Sequence, residues 1–208
     1  MIESMQVNLP AFLLFALVAG FTPGPNNLML AASGVNFGLR RTLPHLLGVM
    51  AGFPVLFAVV GAGLGGVFQR FPWLHAALMV AGSLYLAWLA WKIAFAPAMS
   101  SDPGERRPLN FWQAAAFQWV NPKGWMMVIT AVSVYAEPGE NYLVQVAVMT
   151  LVTVLVTLGS TSTWAGFGIG IRRLFENRPG LLRAFNVTMG VLLLASLVPM
   201  LASATPAA

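Results

Sequence analysis

The sequence predicts an all-α integral membrane protein with six transmembrane helices, organised as two inverted repeats of three helices. Three observations lead to this fold class: an apolar composition, six long apolar segments, and a one-sided distribution of basic residues. The chain is 58% hydrophobic and 8% charged, whereas soluble domains carry about 25% charged residues. A surface with so few charges cannot face water on all sides, so most of it must face lipid.

Six segments are long and apolar enough to cross a bilayer, which takes about 20 helical residues. They cover residues 9–34, 43–67, 73–95, 112–135, 142–168 and 185–203. The one substantial hydrophilic linker, about residues 96–110, separates the third segment from the fourth. It divides a single transmembrane domain, residues 1–208, into halves of about 9–95 and 112–203.

The basic residues of the linkers lie almost entirely on one side of the predicted membrane. Nine belong to the odd-numbered linkers, with Lys92 at the edge of the third: Arg40, Arg41, Lys92, Arg106, Arg107, Arg172, Arg173, Arg178 and Arg183. Arg70 alone lies in an even-numbered linker. Because Lys and Arg accumulate in cytoplasmic loops, both termini are predicted to lie outside and the linker at 96–110 in the cytoplasm. Three helices per half then reverse the second half, so the repeats are inverted.

Two proline motifs interrupt the first and fourth segments near their middles. Residues 22–27 read TPGPNN, and residues 121–124 read NPKG. Proline lacks the backbone donor and clashes with the preceding turn, so both helices are predicted to break there. A broken membrane helix presents unpaired N–H groups at one end and unpaired C=O groups at the other, which together complement a zwitterion. The alternative is a proline kink that only fills space.

Lys123 lies inside the fourth predicted membrane segment. An ammonium at mid-membrane costs about 2.5–3.5 kcal/mol on insertion scales, so it should face a polar cavity. All six carboxylates lie in predicted linkers or in the N-terminal flank, which leaves no acidic partner in the membrane. Lys123 is therefore predicted to meet a substrate carboxylate or to exchange a proton. The alternative is that its four-carbon stem carries the charge to the nearer interface.

Other polar and aromatic residues are candidates for a pocket wall or a pathway. The fifth segment carries a hydroxyl stripe with helical spacing, formed by Thr150, Thr153, Thr157 and Ser160 or Thr161. The stripe either lines a hydrated path or bonds to the carbonyls of the preceding turn. Trp119 and Trp125 flank the second motif. They either wall a pocket or act as headgroup anchors.

Remaining signals concern packing and buried chemistry. His45 lies at a predicted helix start, where interfacial solvation and a proton relay are the two alternatives. The pairs Gly48-x-x-x-Gly52 and Gly166-x-x-x-Gly170 predict close helix packing. The chain has no cysteine, which excludes disulfides, thiol redox chemistry and thiolate metal sites. We expect neither a metal nor a cofactor.

The sequence resembles the LysE/RhtB family of bacterial amino-acid exporters. The matching pieces are residues 21–27 (FTPGPNN), the glycines Gly48 and Gly52, and residues 117–123 (FQWVNPK). Chain length, six segments and the linker after the third also agree, so the resemblance covers nearly the whole chain. The doubled asparagine and residues 111–112 (FW) are most similar to the neutral amino-acid branch, which includes cysteine and O-acetylserine exporters.

This resemblance implies export of small, neutral amino acids or derivatives from the cytoplasm, driven by the proton gradient. The predicted membrane segments contain no carboxylate that could carry the proton. The protein would be a multi-pass protein of the bacterial inner membrane with both termini in the periplasm. Substrate would bind at both motifs, through Thr22, Pro23, Gly24, Pro25, Asn26, Asn27, Asn121, Pro122 and Lys123. The expected partners are an amino-acid substrate and the lipid bilayer, without nucleic acid, and a homodimer is left open.

Two other classes of function compete with a transporter. An intramembrane metalloprotease needs closely spaced histidines, and the chain has only two, far apart; a Gly-x-Ser-x-Gly elbow is also missing. A non-transporting scaffold or assembly subunit would not need polar residues beside its helix breaks. The asparagines and the lysine of the two motifs therefore favour a transporter.

Overall fold

The structure, a computed structural model, describes residues 8–64, 66, 70–96, 107–175 and 178–198. These residues form helices and short connections, and no β-strand occurs among them. The helices are α1 (Leu9–Phe21), α2 (Pro25–Val59), α3 (Pro72–Ala94), α4 (Phe111–Phe117), α5 (Pro122–Tyr135), α6 (Tyr142–Phe175) and α7 (Pro179–Ala195). A π-helical turn, Val60–Leu64, extends α2, and a 3₁₀ turn, Gln118–Val120, follows α4.

The outer surface and the length of the helices identify a membrane protein. Pro25–Leu64, Ala76–Ala94 and Tyr142–Phe175 are long and apolar enough to cross a membrane, and α1 and α7 are shorter apolar helices. Large apolar side chains such as Leu84 and Leu155 are exposed on the outside of the bundle. The predicted all-α membrane fold is therefore confirmed. Most of the linker at 96–110 and the end of the last predicted segment lie outside the described residues.

Helix α2 reverses its direction at Gly38, whose φ of 72° and ψ of 178° are not helical. Ser33 Oγ and His45 Nδ1 lie 3.3 Å apart across this turn, although a straight helix would separate them by about 18 Å. Glycine suits the position because its φ is left-handed. The result is a first arm, residues 25–37, and a second arm, residues 39–59, packed side by side.

The boundaries between the first two predicted segments differ from the structure. The sequence predicted segments that end at residue 34 and restart at residue 43, but helix continues to both sides of Gly38. A single left-handed residue makes the whole turn, so no linker is needed. One consequence is that His45, which was predicted near a helix start, is only 2% exposed.

Helix α6 packs along α1 and both arms of α2. A Cβ added to Gly20 would meet Val156, and one added to Gly168 would meet the backbone of Ala31. From the first contact to the second, the residue numbers increase both along α1 and the first arm and along α6. These two parts of the chain therefore run parallel to α6. The close approach of Gly168 shows why this position has no side chain.

Glycines of the second arm and of α6 test the predicted packing pairs. Gly48 and Gly52 lie directly against α4, as predicted, because a Cβ at either position would overlap α4 backbone atoms. The prediction for Gly166 and Gly170 is wrong, since an added Cβ at either would meet nothing within 4 Å. The contact is made by Gly168 because that residue faces the first arm.

The remaining helices complete the bundle. Helix α3 packs on α7, where Gly190 lies against Ala90 and Ala94. At one end of the bundle, Tyr142 Oη donates a hydrogen bond to the Gly61 carbonyl at 2.7 Å. That end also holds the rings of Phe12, Phe57 and Tyr135.

Candidate functional site

Two junctions interrupt the α-helices of the bundle. The first junction, residues 22–24, separates α1 from α2. The second junction, residues 118–121, consists of the 3₁₀ turn and Asn121 and separates α4 from α5. Both lie beside proline residues that cannot donate to the preceding turn. Gly24 of the first junction and Asn121 of the second are buried, whereas Thr22 and Pro23 are exposed.

At the first junction, Pro23 and Pro25 remove donors from the end of α1. The carbonyl of Phe21, which a continuing helix would pair with residue 25, loses its partner because Pro25 has no N–H. The Thr22 N–H still donates to the Val18 carbonyl at 3.0 Å, and the Thr22 hydroxyl donates to the same carbonyl. The last carbonyls of α1 must therefore find donors elsewhere.

Side chains from other elements supply these donors. Asn27 Nδ2 donates to the carbonyls of Gly20, at 2.8 Å, and Thr22, at 3.0 Å. Ser160 Oγ on α6 donates to the Gly20 carbonyl at 2.7 Å and lies 3.2 Å from Asn27 Oδ1. The first junction is thus held by contacts between residues far apart in the chain.

Two further donors complete the cap of α1. Trp164 Nε1 on α6 donates to the Phe21 carbonyl at 3.2 Å. Lys123 Nζ on α5 donates to the Thr22 carbonyl at 2.9 Å. The partial negative charge at a helix C-terminus favours a cation at this place.

The ammonium of Lys123 turns to the first junction. Its stem packs against Gly24, where an added Cβ would lie 2.6 Å from Lys123 Cδ. Among the described residues, the carboxylates are Glu137 and Glu140, which are exposed on the connection between α5 and α6. The interior of the described bundle therefore gives Lys123 a carbonyl partner and no carboxylate.

The second junction satisfies its backbone largely within its own segment. Pro122 cannot donate to the Gln118 carbonyl, which accepts from the Asn121 N–H at 3.4 Å instead. The Trp119 carbonyl accepts from Trp125 Nε1 at 2.8 Å. These bonds close the 3₁₀ turn with groups of the junction itself and of α5, which follows it directly.

A pair of reciprocal amide bonds joins the two junctions. Asn26 Nδ2 donates to Gln118 Oε1 at 2.8 Å, and Gln118 Nε2 donates to Asn26 Oδ1 at 3.1 Å. Gln118 is fully buried and also donates to the Ala114 carbonyl at 2.9 Å. Residues 92 positions apart in the sequence are therefore side by side.

A cavity of about 50 Å³, room for a small number of water molecules, lies between the junctions. Its lining includes Gly24, Pro25, Asn26, Asn27, Asn121, Lys123, Thr157 and Ser160. A second cavity of about 30 Å³ adjoins it and shares Gly20, Phe53, Met127 and Thr157 with it. The second cavity is mostly apolar, is lined by Thr153 as well, and leads towards Phe12 and Phe57.

Two helix N-termini point at the first cavity. Helices α2 and α5 begin there, and neither N-cap residue, Gly24 or Asn121, caps its helix with a side chain. First-turn N–H groups have no partner within their own helix. Residues of both first turns line the cavity, so two partial positive charges meet the charge of Lys123 there. The cavity is suited to an anion such as a carboxylate.

Asn121 adds an acceptor to this electropositive cavity. Its side chain is 3% exposed, and Oδ1 has no hydrogen-bond partner among the residues that the structure describes. Leaving a buried acceptor unpaired costs about 1–3 kcal/mol. A ligand with an N–H, O–H or S–H group would satisfy it, so the cavity offers complementary groups to both ends of a zwitterion.

Only some of the residues predicted to bind substrate line a cavity in the structure. Thr22, Pro23 and Pro122 shape the backbone without lining either cavity. Trp119 and Trp125 line neither cavity, and the Trp125 ring is buried behind the second junction.

Sequence analysis missed three side chains that organise the site. Ser160 belonged to the hydroxyl stripe, but its role as a donor to α1 depends on the register between α1 and α6. Gln118 lies one turn before the second motif, and its pairing with Asn26 has no sequence signal. The same is true of Trp164, which caps Phe21 from α6.

Comparison with known proteins assigns the chain to a family. The LysE family, described as LysE type translocators, matches residues 17–198, a range that contains both junctions. No solved structure matches the chain.

Several relatives are efflux proteins of enteric bacteria. The cysteine/O-acetylserine efflux protein of Escherichia coli O139:H28 (strain E24377A / ETEC) is 30% identical over 186 residues, which cover 89% of this chain and 93% of the relative. The proteins of the same name from Escherichia coli (strain K12) and Shigella sonnei (strain Ss046) are 30% identical over 185 residues, with the same coverage. With a family match over most of its length and such relatives along nearly all of it, this chain belongs to the LysE family of translocators.

Proposed function

We propose that this protein is a secondary transporter that exports small, neutral amino acids or their derivatives, and that its substrate binds between the two junctions. LysE-type proteins are translocators rather than enzymes, and the relatives named above are efflux proteins for cysteine and O-acetylserine. The observation that carries the proposal is the convergence of two uncapped helix N-termini, the Lys123 ammonium and the unpaired Asn121 Oδ1 on one cavity.

The substrate's carboxylate would bind to Lys123 and to the first-turn N–H groups of α2 and α5. In this arrangement a charge-assisted hydrogen bond and two helix dipoles act on the same anion. The substrate's ammonium would face Asn121 Oδ1 and the carbonyl end of α1. A polar zwitterion thereby exchanges its hydration for protein groups that already point at it.

Selection for a neutral side chain follows from the surroundings of this site. The adjoining second cavity is lined mainly by apolar groups, with Thr153 and Thr157 as its hydroxyls. A charged side chain placed there would be desolvated without a counter-charge. A short side chain that is apolar or carries one hydroxyl, thiol or ester would be accepted.

The two junctions are, in this proposal, the breaks of two membrane helices in an inverted repeat. α1 with the first arm would form the first span, and α4 with α5 the fourth. The first span packs on α6, the fourth packs on the second arm, and α3 packs on α7. These contacts are the ones that a pseudo-two-fold relation between halves 9–95 and 112–203 would exchange.

Orientation is proposed from the ends of the bundle. The Gly38 turn lies against Arg172, close in sequence to Arg40 and Arg41, so these arginines share one end. Glu137 belongs to the opposite end, on the connection that leads into α6. The basic end would face the cytoplasm, which places both termini in the periplasm.

Aromatic rings close the second cavity at the proposed periplasmic end. The Phe12 ring lies 6.1 Å from that of Phe57 and 5.7 Å from that of Tyr135, and Phe15 lies 5.6 Å from Tyr135. A substrate between the junctions would have to pass these rings to leave the cell. Export would end with a movement of these rings away from one another, which would open the exit.

Counterflow in proteoliposomes tests the proposed function. The purified protein would be reconstituted with unlabelled amino acid inside and labelled cysteine, O-acetylserine, serine, lysine or glutamate outside, with and without a pH gradient. We expect transient accumulation of the three neutral compounds and none of lysine or glutamate. Protein-free liposomes are the control. Absence of counterflow for every compound would refute the transporter, and equal counterflow of lysine would refute the neutral specificity.

A further inference from the structure

His45 is a buried imidazole that the proposed substrate site does not use. It lies on the second arm of α2 and is 2% exposed. Its neighbours Leu46 and Val49 belong to a buried cluster with Leu30, Ala114 and Ala165. Histidine is rarely placed in such surroundings without a partner for each ring nitrogen.

The two ring nitrogens of His45 have unequal surroundings. Nδ1 lies 3.3 Å from the Ser33 hydroxyl of the first arm. Nε2 is buried and has no hydrogen-bond partner in the described part of the chain. When Nδ1–H donates to Ser33 Oγ, the lone pair of Nε2 is free to accept a proton.

His45 lies between the proposed substrate cavity and the basic end of the bundle. Val49, one turn further along the second arm, lines the first cavity, as does Phe53 after it. One helical turn of four residues is about 6 Å, so water that enters the cavity comes within one turn of the imidazole. Towards the other end, the next turn leads to Arg41, which is exposed.

The charges around His45 are all basic within the described residues. Its own arm carries Arg40 and Arg41, α6 carries Arg172 and Arg173, and α5 carries Lys123; the first arm and α4 carry no titratable side chain. The carboxylates Glu137 and Glu140 lie beyond α5, on the connection before α6. An imidazolium at this place would therefore have no counter-charge, and it would be stable only while water reaches it.

We propose that His45, held by Ser33, is the proton-binding site through which export is coupled to the proton gradient. This inference rests on the proposed function. After substrate leaves towards the periplasm, Nε2 takes a proton from the water that fills the cavity, which gives the imidazolium. The proton leaves Nε2 for the cytoplasm before the next substrate binds. One proton enters for each substrate exported. The N–H bond that forms replaces an O–H bond of a hydronium ion in the cavity water, which is left as neutral water, and the reverse exchange releases the proton to water on the cytoplasmic side.

Two transport measurements, counterflow and accumulation driven by a pH gradient, distinguish a loss of proton coupling from a loss of substrate binding. Counterflow at equal pH needs only the substrate-loaded carrier to reorient, whereas accumulation driven by a pH gradient also needs the proton-loaded carrier. We would measure both in proteoliposomes, with labelled cysteine and O-acetylserine, for the native protein, His45→Gln, Ser33→Ala and Thr42→Val. Thr42→Val is the matched control, since Thr42 Oγ1 is another buried group without a partner, one turn from His45.

For His45→Gln we expect counterflow within about twofold of the native rate and loss of gradient-driven accumulation by at least about tenfold. Ser33→Ala should weaken accumulation less, and Thr42→Val should keep both activities. The proposal is refuted if His45→Gln keeps gradient-driven accumulation. It is also refuted if His45→Gln loses both activities while Thr42→Val keeps both. Counterflow by the native protein without any response to the pH gradient would refute the coupling alone, whereas absence of native counterflow would refute the transporter itself.

Discussion

The two junctions look alike in sequence but are stabilised in different ways. At the first, side chains of α2, α5 and α6 reach in to cap the carbonyls of Gly20, Phe21 and Thr22. At the second, a 3₁₀ turn satisfies most of its own backbone, and Asn121 Oδ1 stays unpaired. The first junction therefore depends on the assembled bundle, whereas the second is formed largely by local bonds.

This difference suggests a division of roles between the two junctions. The first junction provides a capped, fixed surface with the carbonyl end of α1. The second junction and the first turn of α5 provide the groups with spare bonding capacity, Asn121 and Lys123, at the cavity. Substitutions at the first should mainly lower stability, and substitutions at the second should mainly lower transport.

The largest effect is expected at Lys123. In Lys123→Met the Thr22 carbonyl keeps Asn27 as a donor, so the protein should fold. It should lose the charge that we propose holds the substrate carboxylate. A charge-assisted hydrogen bond contributes roughly 1.5–3 kcal/mol, so affinity should fall about 10- to 150-fold. Lys123→Arg should be partly active at best, because its planar guanidinium is wider than the compact ammonium.

Lys92→Met is the matched control for this charge removal. Lys92 is exposed, and its Nζ lies 4.4 Å from the centre of the Trp88 ring. Counterflow at equal abundance in proteoliposomes should be normal for Lys92→Met and strongly reduced for Lys123→Met. Normal counterflow by Lys123→Met would remove Lys123 from the substrate site.

The second junction should not accommodate a side chain at Gly82 of α3, which packs directly against its backbone. A Cβ at Gly82 would overlap the Val120 carbonyl, and backbone atoms cannot give way as a flexible side chain can. Gly82→Ala should therefore cost about 1–3 kcal/mol by overpacking. Thermal unfolding in detergent measures the loss, with Gly170→Ala as the control because its added methyl meets nothing within 4 Å. Equal melting temperatures for the two variants would show that the contact between α3 and the second junction is loose.

Substitution of one asparagine at each junction compares their contributions to stability and to transport directly. Asn27→Leu removes two hydrogen bonds from the first junction, each with a net value of about 0.5–1.5 kcal/mol. Asn121→Leu removes an oxygen that has no partner, so its effect on stability should be small or even favourable. We expect the melting temperature to fall for Asn27→Leu alone and the Michaelis constant for transport to rise for Asn121→Leu. The reverse pattern would contradict the division of roles.

The smallest effect is expected for the amide pair that joins the junctions. A double-mutant cycle of Asn26→Ala and Gln118→Ala should give a coupling energy of about 0.6 kcal/mol, the average for hydrogen bonds between membrane helices. Unfolding of the two single variants and the double variant in detergent measures it. Strictly additive effects would mean that Asn26 and Gln118 do not hold the junctions together.

Local chemistry explains which parts of this molecule the sequence could reveal. Proline removes a donor wherever it occurs, so the motifs at 22–27 and 121–124 indicated where helices would end. The turn at Gly38 was not foreseen, because a glycine close to Asn36, Arg40 and Arg41 predicts a linker as readily as a one-residue reversal. The spacing of glycines in the sequence also predicted the wrong packed glycine in α6, because spacing does not show which face of a helix contacts a neighbouring helix.

The candidate site was predictable in its residues but not in its bonds. Asn27 and Lys123 were identified from their motifs, yet their partners Gly20 and Thr22 follow only from the packing of whole helices. Burial of His45 likewise results from the pairing of the two arms of α2. Such contacts depend on helix register, which no short motif encodes.

The most direct test of the account is a structure of the protein with a bound neutral amino acid, such as serine or O-acetylserine, in a lipid environment. The account predicts that the ligand's carboxylate lies within about 3 Å of Lys123 Nζ and of first-turn N–H groups of α2 or α5. Its ammonium should lie beside Asn121 Oδ1. A ligand bound where only one of the two junctions contributes, or with its carboxylate away from Lys123, would contradict the claim that the junctions form one substrate site.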